Sequence, residues 1–547
     1  MTDPRFPVLT QKQINILKTY GTVDYFDEQT LIFKIGDLSY DFFVILKGEV
    51  IVVDESNKRN LIVTHGINEF TGDNSMLSSK TAQFNAYASK DSTLLRIKPD
   101  SLKELISKQS DIGDVLLTAF IHRQETMLKE FDGGIKIIGT EKSKESYDLR
   151  DFLDKNHIWY TYLNTEQSPE AIQLLENFNL SINDLPIVLG ASGELLKQPS
   201  IEELAKHTGV LLDFGDELYD VLVVGAGPSG LAASVYAASE GLSVVTIDSK
   251  APGGQAGKSS KIENYLGFPT GISGSDLANK AFIQAQKFGC YISIPHKAKK
   301  VIYNGKYFTL LASNDMKIKA KTVIAATGAN YKHLPISNIK KFEGCGIFYS
   351  ATGMNAAACN NEIVGVVGGG NSAGQAVLFI AEFAKEAHII IRGNDLGAKM
   401  SDYLVQRIKA TPNIKIHKGS NVVKLNGDNH LESLVLDTKN KLETIPISNL
   451  FTFIGAKPCS EWLNGIVSTD EKGFIYTGPD VKIDETMDSS IYKYRKPQSL
   501  ETSIPGFFAV GDVRKGSVKR VASAVGEGSM AISQIHQYLT EINQFDL

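Results

Sequence analysis

The chain has 547 residues, of which 42% are hydrophobic and 22% charged, and its formal net charge at pH 7 is −5. This length predicts about three to four domains, and the composition is that of an ordinary globular protein. The small negative charge gives no electrostatic basis for binding nucleic acid or an anionic membrane. No apolar run has the length of a membrane span and the N-terminus lacks the pattern of a signal peptide, so we expect a cytoplasmic protein.

The four cysteines are scattered and include no CxxC pair. This spacing predicts neither a disulfide framework nor a thiolate metal site, so each cysteine is interpreted as a small buried hydrophobic residue. The ten histidines are equally dispersed, and we predict no metal site. The cysteines are Cys290, Cys345, Cys359 and Cys459.

Residues 1–130 have the pattern of a β-barrel followed by helices. From residue 30 to 97, short alternating apolar strands are separated by glycines, which predicts a barrel or jelly roll. Residues 99–130 then return to a helical period. With the stretches Phe43-Val-Ile-Leu-Lys-Gly-Glu-Val and Phe70-Thr-Gly-Asp, this order resembles the cyclic-nucleotide-binding domain, which implies a regulatory module.

The residues that would hold a nucleotide in this module depart from the family pattern. In the family a Gly-Glu pair holds the ribose and an arginine neutralises the cyclic phosphate; here Gly72-Asp73 replaces the pair and the arginine is absent. Lys80 can supply positive charge but not a bidentate fork. The resemblance thus implies Gly72, Asp73 and Lys80 as the regulatory-ligand residues. Two interpretations stay open, a purely structural module and one that binds a nucleotide or another anion.

Gly133-Gly134 marks a linker. Residues 135–213 then alternate strands and helices in an order that resembles the thioredoxin or glutaredoxin fold, with Leu185-Pro186 at the position of that fold's cis-proline. The redox turn after the first strand contains no cysteine, so no thiol exchange is available there. We expect a redox-inactive adaptor, with an independent small α/β linker domain as the alternative.

A dinucleotide-binding fingerprint follows at residues 219–248, which read as strand, tight turn, helix and strand. In this pattern Gly225 allows the turn, Gly227 lets a pyrophosphate approach the backbone, and Gly230 lets helix and strand pack closely. Asp248 ends the second strand, where a carboxylate can accept a hydrogen bond from a ribose hydroxyl.

A second fingerprint lies at residues 362–392 and contains Gly368-Gly-Gly-Asn-Ser-Ala. Its second strand ends at Arg392, where an NAD-preferring fold would carry a carboxylate. Because an arginine there can accommodate a 2′-phosphate, the sequence favours NADPH over NADH. Arg407 is a second candidate contact, with a solvated helical arginine as the alternative.

Two nucleotide folds in one chain indicate an electron relay from a pyridine nucleotide to a flavin. Over residues 217–547 the chain resembles low-molecular-weight thioredoxin reductase, and with its N-terminal modules it resembles the reductases that carry a cyclic-nucleotide domain. The resemblance implies a multidomain α/β protein in which residues 217–331 and 455–547 bind FAD and residues 332–454 bind NADPH. The motifs that carry the resemblance are Gly225–Gly230, Pro252–Gln255, Ala326–Ala329, Gly368–Ala373 and Ala509–Asp512.

In this family the aspartate at position 512 would hold the flavin ribityl chain, and Asn264 and Val521 would lie near the isoalloxazine ring. The residues predicted to bind FAD are Gly225, Gly227, Pro228, Ser229, Gly230, Asp248, Gly254, Gln255, Asn264, Thr327, Gly328, Gly511, Asp512, Lys519, Arg520, Val521 and Ala522. Those predicted to bind NADPH are Gly368, Gly370, Asn371, Ser372, Ala373, Arg392 and Arg407.

One departure decides the expected mechanism. The family carries Cys-Ala-Thr-Cys before the second fingerprint, whereas this chain has Ser350-Ala-Thr-Gly353. A serine hydroxyl forms neither a thiolate nor a disulfide, so reduction of thioredoxin through an enzyme dithiol is not expected. Cys345 and Cys359 flank the stretch, but neither matches the motif.

Four cations, Arg514, Lys515, Lys519 and Arg520, cluster at the predicted flavin site, where they would stabilise negative charge or attract an acidic partner. A solvated basic turn is the alternative.

Three functions stay open. The first is an NADPH-dependent flavoprotein oxidoreductase whose acceptor is a quinone, an iron–sulfur protein, oxygen or another small molecule. The second is a thioredoxin-disulfide reductase that uses another thiol route. The third is a ligand sensor in which FAD and NADPH are structural. A homodimer is left open.

Overall fold

In the computed structural model, the described residues are 3–55, 60–78, 80–130, 134–141, 143–259, 261–352, 355–356, 358–428, 430–463, 465–482, 490–493 and 495–545. They form a β-barrel with helices, a small α/β unit, and two larger α/β units that each contain a parallel sheet. This architecture confirms the predicted multidomain α/β fold. Across the described helices, none combines the length and the apolar character needed to cross a lipid bilayer.

The N-terminal unit is a barrel closed by helices. Its elements are α1 (Gln11–Leu17), β1 (Thr22–Phe26), β2 (Thr30–Phe33), β3 (Phe42–Lys47), β4 (Val50–Asp54), β5 (Asn60–His65), α2 (Ser75–Ser78), β6 (Asn85–Ala88), β7 (Ser92–Ile97), α3 (Pro99–Lys108) and α4 (Ser110–Glu130). Two antiparallel sheets, ordered β1-β7-β3 and β2-β6-β4-β5, share one core. Phe42, Phe70 and Phe120 are fully buried in that core, so α4 is packed on the barrel rather than detached from it.

The second unit, here called the adaptor, spans residues 134–213. Its elements are β8 (Ile135–Gly139), α5 (Lys144–Lys155), β9 (Tyr160–Asn164), α6 (Pro169–Asn177), β10 (Ile187–Leu189), β11 (Leu195–Lys197) and α7 (Ile201–His207). The sheet order is β11-β10-β8-β9, with β8 and β9 parallel and the other pairs antiparallel. The Leu185–Pro186 peptide is cis. Leu149 and Phe152 of α5 belong to a core that continues into the third unit, so the adaptor is packed firmly against it.

The third unit contains the first glycine fingerprint. Its elements are β12 (Leu218–Val224), α8 (Pro228–Ser239), β13 (Val244–Ile247), α9 (Gly274–Lys287), β14 (Tyr291–Ser293), β15 (Ala298–Tyr303), β16 (Phe308–Ala312), β17 (Lys317–Ala325) and β18 (Ala329–Tyr331). Strands β14, β13, β12 and β17 are parallel neighbours, and a late strand of the chain, Phe507–Ala509, pairs in parallel with β17. The carboxyl ends of these strands therefore meet at one edge of the sheet.

The fourth unit contains the second fingerprint. Its elements are β19 (Ile347–Phe348), β20 (Ile363–Val367), α10 (Asn371–Ala381), β21 (Glu386–Ile391), α11 (Asp402–Ala410), β22 (Ile414–Lys418), β23 (Ser420–Asn426), β24 (Ser433–Thr438), β25 (Lys441–Ile445), β26 (Asn449–Thr452) and β27 (Ala456–Pro458). Five strands in the order β19-β26-β20-β21-β22 form a parallel sheet, and β23-β24-β25 form an antiparallel one.

The chain crosses between the third and fourth units twice, and the two crossing points are tied together. Strands β18 and β27 pair in an antiparallel ribbon beside the predicted domain boundaries. After the second crossing the chain adds β28 (Phe507–Ala509) to the third unit and ends in α12 (Val521–Phe545). Gly528 of α12 packs so closely on α8 that an added Cβ would lie 2.2 Å from the Ser229 carbonyl oxygen.

Candidate functional site

One large cavity, with a volume of about 1180 Å³, lies between the third and fourth units. Residues from both glycine loops line it, together with residues from the ends of β13, β17 and β21. Because both loops open on the same space, two dinucleotides bound there would share one chamber.

In the first glycine loop two glycines are needed by the protein itself. Gly225 has φ of +111°, and a Cβ there would lie 2.4 Å from the Ala326 carbonyl oxygen. A Cβ on Gly230 would lie 1.8 Å from the Gly225 carbonyl oxygen. Both positions therefore exclude any side chain for reasons of folding alone.

Gly227 differs from these two glycines. A Cβ there would meet no protein atom nearer than the Gly254 Cα, 3.9 Å away, and the residue lines the cavity. Gly227 also precedes the first turn of α8, whose backbone N–H groups receive no side-chain cap. Uncapped N–H groups beside open space form a site for a pyrophosphate, so this loop fits the dinucleotide that the fingerprint predicts.

Asp248 lies beside this loop at the end of β13. Its Oδ2 accepts a hydrogen bond from the Ala226 backbone N–H at 2.8 Å, and its Oδ1 accepts from that of Lys250 at 2.8 Å. Burial raises the pKa of this carboxyl, while the backbone donors oppose that rise. The carboxylate is thus held at the cavity wall, where it can accept a hydrogen bond from a ribose hydroxyl.

The predicted motifs at the ends of β17 and β28 meet at the same edge because these strands are parallel neighbours. The Thr327 hydroxyl donates to the Cys459 carbonyl oxygen at 2.6 Å, and the backbone N–H of Gly511 donates to Glu527 Oε2 at 2.6 Å. Asp512 lines the cavity; burial raises its pKa, and Lys519 nearby opposes that shift.

The second glycine loop repeats this division of roles. Gly368 has φ of +149°, and a Cβ there would lie 2.6 Å from the Phe453 carbonyl oxygen, whereas a Cβ on Gly370 would meet nothing within 4 Å. Gly370 precedes α10 and lines the cavity. Arg392 follows β21 and is exposed at the cavity wall. The loop therefore fits a second dinucleotide.

Most of the residues predicted to bind cofactors line this one cavity. From the FAD set these are Gly225, Gly227, Pro228, Ser229, Asp248, Gly254, Gln255, Asn264, Thr327, Gly328, Asp512, Lys519, Arg520 and Val521, and from the NADPH set Gly368, Gly370, Asn371, Ser372, Ala373 and Arg392. The lining does not include Gly230, Gly511, Ala522 or Arg407. Arg407 is instead engaged with Glu263, to which its Nη1 donates at 2.8 Å.

The predicted cluster of four cations is divided by the structure. Arg514 forms an ion pair of 2.6 Å with Glu527, and the Lys515 ammonium lies 4.4 Å from the centre of the Tyr476 ring. Only Lys519 and Arg520 of the four line the cavity. The expectation that all four act on the flavin site is therefore wrong for Arg514, because a nearby carboxylate neutralises it.

The position of the family's first dithiol cysteine is occupied by a buried serine, and the second, Gly353, lies outside the described residues. Ser350 is 8% exposed and does not line the cavity. Cys345 lies on the same segment, but its thiol donates to the Lys341 carbonyl oxygen at 3.3 Å. Burial raises the pKa of the fully buried Cys359 to about 12.

The adaptor covers the segment that contains Ser350. The Tyr147 ring of α5 lies 5.9 Å from the Phe348 ring, and Asn355 Nδ2 donates to the Tyr147 hydroxyl at 3.2 Å. A Cβ on Gly344 would lie 3.6 Å from Lys144 Cγ. Helix α5 therefore occupies the surface beside the position where the family's dithiol would be.

Sequence reasoning missed three adaptor residues in the cavity wall, Lys155, Asn156 and His157. The barrel contacts the same turn, since the Lys80 ammonium donates to the Asn156 carbonyl oxygen at 2.8 Å. Burial lowers the pKa of Lys80 to about 8. Lys80 thus connects the barrel to the adaptor turn that lines the cavity.

Other predicted barrel residues are also engaged within the protein. Asp73 Oδ1 accepts from the Ser75 backbone N–H at 2.7 Å, and the Gly72 carbonyl oxygen accepts from Arg123 Nη1 at 2.6 Å. Arg123, on α4, lies close to the expected ligand residues although no local motif marks it; its Nη2 also donates to the Phe70 carbonyl oxygen at 3.1 Å.

Cys459, which follows β27, also lines the cavity and was not among the residues predicted for the site. Burial raises the pKa of its thiol. Cys459 lies at a chain crossing, far in sequence from the position of the family's dithiol. No sequence motif therefore marks it as a site residue.

Two glycine loops that each leave room for a pyrophosphate, opening on a single chamber, define an oxidoreductase that binds two dinucleotides. Residues 219–528 match the pyridine nucleotide-disulphide oxidoreductase family, and residues 23–109 match the cyclic nucleotide-binding domain. The chain belongs to the pyridine nucleotide-disulphide oxidoreductase family and is an NAD(P)H-dependent flavoprotein oxidoreductase with FAD and NADPH as cofactors.

Similar proteins agree with this assignment. The chain is 33% identical over 330 residues to a thioredoxin reductase of Ureaplasma parvum, covering 60% of this chain and 99% of that protein. It is 31% identical over 340 residues to a thioredoxin reductase of Bacillus subtilis, covering 60% and 97%. A solved thioredoxin reductase of Lactococcus lactis, in its FR conformation, superposes with a TM-score of 0.53 at 27% identity, covering 59% of this chain and 99% of that one. The thioredoxin reductase of T. acidophilum superposes with a TM-score of 0.52 at 29% identity, covering 60% and 100%.

Proposed function

We propose that this enzyme passes electrons from its FAD site directly to an acceptor, without an enzyme dithiol. When bound, NADPH supplies a hydride to FAD, and FAD passes the electrons on. The observation that carries the proposal is the single cavity on which both glycine loops open, while Ser350 lies outside its lining. Residues 332–454 are proposed as the NADPH domain, and residues 217–331 with 455–547 as the FAD domain.

The two glycine loops would bind and orient the cofactors. Gly227 and Gly370 leave room for the pyrophosphates, and the uncapped N–H groups of α8 and α10 would donate to them. Arg392, which is exposed at the cavity wall, would pair with the 2′-phosphate that distinguishes NADPH from NADH. These residues would hold the reactants in place without themselves reacting.

Positive charge at the cavity wall would stabilise negative charge as the reaction proceeds. Since Glu527 neutralises Arg514, this role falls to Lys519 and Arg520, which line the cavity.

Two observations argue against thioredoxin as the acceptor. The Ser350 hydroxyl cannot exchange with a disulfide. The Tyr147 side chain of the adaptor also packs beside that position, so an external thioredoxin would have to displace it. We therefore infer an acceptor that reaches the cavity itself, such as a quinone or a redox group presented at its mouth.

Cys459 supports a second candidate function. Cys459 lines the cofactor cavity, so a thiol route that uses this single cysteine would connect the chamber to a disulfide substrate. Against this, burial raises the pKa of the thiol, which lowers the fraction of reactive thiolate.

An anaerobic titration with NADPH, followed by reoxidation with a quinone or with oxidised thioredoxin, separates the two candidates. Direct transfer predicts that one equivalent of NADPH bleaches the flavin and that a quinone but not thioredoxin reoxidises the enzyme. The matched control is Cys459→Ser. Thioredoxin reduction that is lost in this variant would establish the thiol route and refute direct transfer.

Regulation is the remaining part of the proposal. We propose that residues 1–130 are a regulatory domain and residues 135–213 a thioredoxin-like adaptor without cysteines, and that an anion bound near Gly72, Asp73 and Lys80 changes turnover. The hydrogen bond from Lys80 to the cavity-lining turn supports such coupling. A coupling of typical size changes activity about 5- to 150-fold. The regulatory role is tested by calorimetry and steady-state kinetics with cyclic mono- and dinucleotides, with Lys80→Met as the control. If no nucleotide binds and the kinetics are unchanged, the barrel is a structural domain.

A further inference from the structure

The third and fourth units share little packing of their own. Among the described residues, no hydrophobic core cluster contains residues of both units. The two chain crossings are held together in the ribbon of β18 and β27. Units connected in this way can turn about the connection, so contacts elsewhere along their boundary help to fix their relative position.

One ion pair crosses this boundary directly. Arg407, on α11 of the fourth unit, donates from its Nη1 to both carboxylate oxygens of Glu263, at 2.8 and 3.0 Å. Glu263 belongs to a loop of the third unit, between Ile262 and Asn264, and both of these neighbours line the cavity. In the part of the chain that the structure describes, this is the one ion pair that joins the two units.

The Glu263 carboxylate is held in place on a fixed loop. Its side chain is 21% exposed, and the Lys261 ammonium lies 3.3 Å from one of its oxygens. Burial acts to raise the pKa of Glu263, but Arg407 and Lys261 outweigh it, so the pKa is lowered. At the base of the loop, the Ile262 backbone N–H donates to the Ile272 carbonyl oxygen at 2.7 Å. The ion pair therefore connects α11 to an ordered part of the cavity wall.

We propose that Arg407 and Glu263 are positioning residues, which hold the fourth unit against the third so that the two bound dinucleotides meet. This rests on the proposed assignment of FAD to the third unit and NADPH to the fourth. For Arg407 it replaces the predicted nucleotide contact, because the guanidinium is engaged with Glu263 and Arg407 does not line the cavity. Hydride transfer needs reacting atoms about 3–3.5 Å apart, so a small displacement of one unit slows it while both cofactors stay bound.

The first experiment measures the position of the loop without turnover. It compares Arg407→Met with Lys409→Met, a matched control that is exposed on the same helix. Hydrogen exchange of residues 262–272 is followed in the purified holoenzymes without NADPH. Arg407→Met should speed this exchange about 1.5- to 5-fold, the range expected for loss of an exposed ion pair, and Lys409→Met should not change it.

The second experiment measures flavin reduction by stopped-flow absorbance at saturating nucleotide. The limiting rate should fall about 1.5- to 5-fold in Arg407→Met and in Glu263→Gln, by the same factor with NADPH and with NADH. Arg407→Lys should restore most of the rate, since an ammonium also pairs with a carboxylate. The variant with both Arg407→Met and Glu263→Gln should lose no more than either single variant, because each change removes the same contact.

A loss confined to NADPH would assign Arg407 to the 2′-phosphate and overturn the proposal. An unchanged exchange rate or an unchanged limiting rate in Arg407→Met, equal changes in Lys409→Met, or additive losses in the double variant would overturn it as well. Failure of the cofactor assignment is recognised separately, because NADPH would then not reduce the flavin of the unmutated enzyme. In that case the exchange measurement still decides whether the ion pair holds the two units together.

Discussion

Replacing Gly227 with alanine should weaken FAD binding while leaving the protein folded. The backbone at Gly227 has φ of −71° and ψ of −178°, which any residue adopts, and the added Cβ meets no protein atom nearer than 3.9 Å. Alanine is a poorer residue than glycine at the position before a helix, which lowers the free energy of unfolding. Alanine also restricts the unfolded chain, which raises it, so we expect the apoprotein's free energy of unfolding to change by no more than about 1 kcal/mol. The same methyl group enters the space that a pyrophosphate would occupy. Overpacking of this kind costs about 1–3 kcal/mol, equivalent to a 5- to 150-fold loss of FAD affinity.

Gly225→Ala is the matched control for this variant, since its Cβ would lie 2.4 Å from the Ala326 carbonyl oxygen at φ of +111°. This change should destabilise the apoprotein as well as lower its FAD content. The assay combines the FAD affinity of each apoprotein with its urea unfolding. Gly227→Ala that keeps the FAD affinity of the unmutated protein, or that loses as much apoprotein stability as Gly225→Ala, would refute the division of roles between the two glycines.

Outcomes are expected for five further variants. Gly370→Ala should raise the KM for NADPH without changing the FAD content. Arg392→Ala should lower kcat/KM with NADPH by an amount equivalent to about 1.5–3 kcal/mol, and should change kcat/KM with NADH little. Equal losses with both nucleotides would contradict the phosphate contact. Cys459→Ser should reduce a quinone as fast as the unmutated enzyme, and a large fall in kcat would show that the thiol is needed. Burial and Lys80 lower the pKa of His157 from 6.5 to about 4. Between these two pH values the imidazole is protonated in the unfolded chain but neutral in the folded one, so the free energy of unfolding falls as the pH drops. His157→Gln should remove up to about 3 kcal/mol of that fall in urea titrations, and identical pH profiles would exclude the effect. Lys80→Met should change turnover if the barrel acts on the cavity, and unchanged kcat and KM with and without cyclic nucleotides would argue against it.

The parts of the site that follow from local sequence are predictable. A glycine loop between a strand and a helix depends on residues within about thirty positions, so the sequence alone predicts that Gly225, Gly227 and Asp248 lie together at one site. The barrel is predictable for the same reason, because alternation along each strand is also local. Parallel strand order then brings Gly511 and Asp512 to the first fingerprint, as the family resemblance implies.

The contacts that cross between units are not predictable in this way. Sequence proximity groups Arg514 with the flavin-site cations, but its ion pair with Glu527 depends on how α12 packs. The family resemblance directs Lys80 toward a phosphate, and its actual partner is a carbonyl in the adaptor, 76 positions away. Cys459 reaches the cavity only because β27 pairs with β18 at the chain crossing. No periodicity or motif records such pairings.

Helix α5 links all of these regions. Its Tyr147 contacts the fourth unit at Phe348 and Asn355, its buried Leu149 and Phe152 share the core of the third unit, and the turn after it lines the cavity and accepts a hydrogen bond from the barrel. A twelve-residue helix is about 18 Å long, enough to reach from the segment around residue 350 to the cofactor chamber. In an enzyme that must expose a dithiol to an external protein, such a helix would obstruct the exchange. Where the serine at that position has no exchange to perform, the same helix instead holds the fourth unit against the third, in the arrangement that gives both glycine loops one shared chamber.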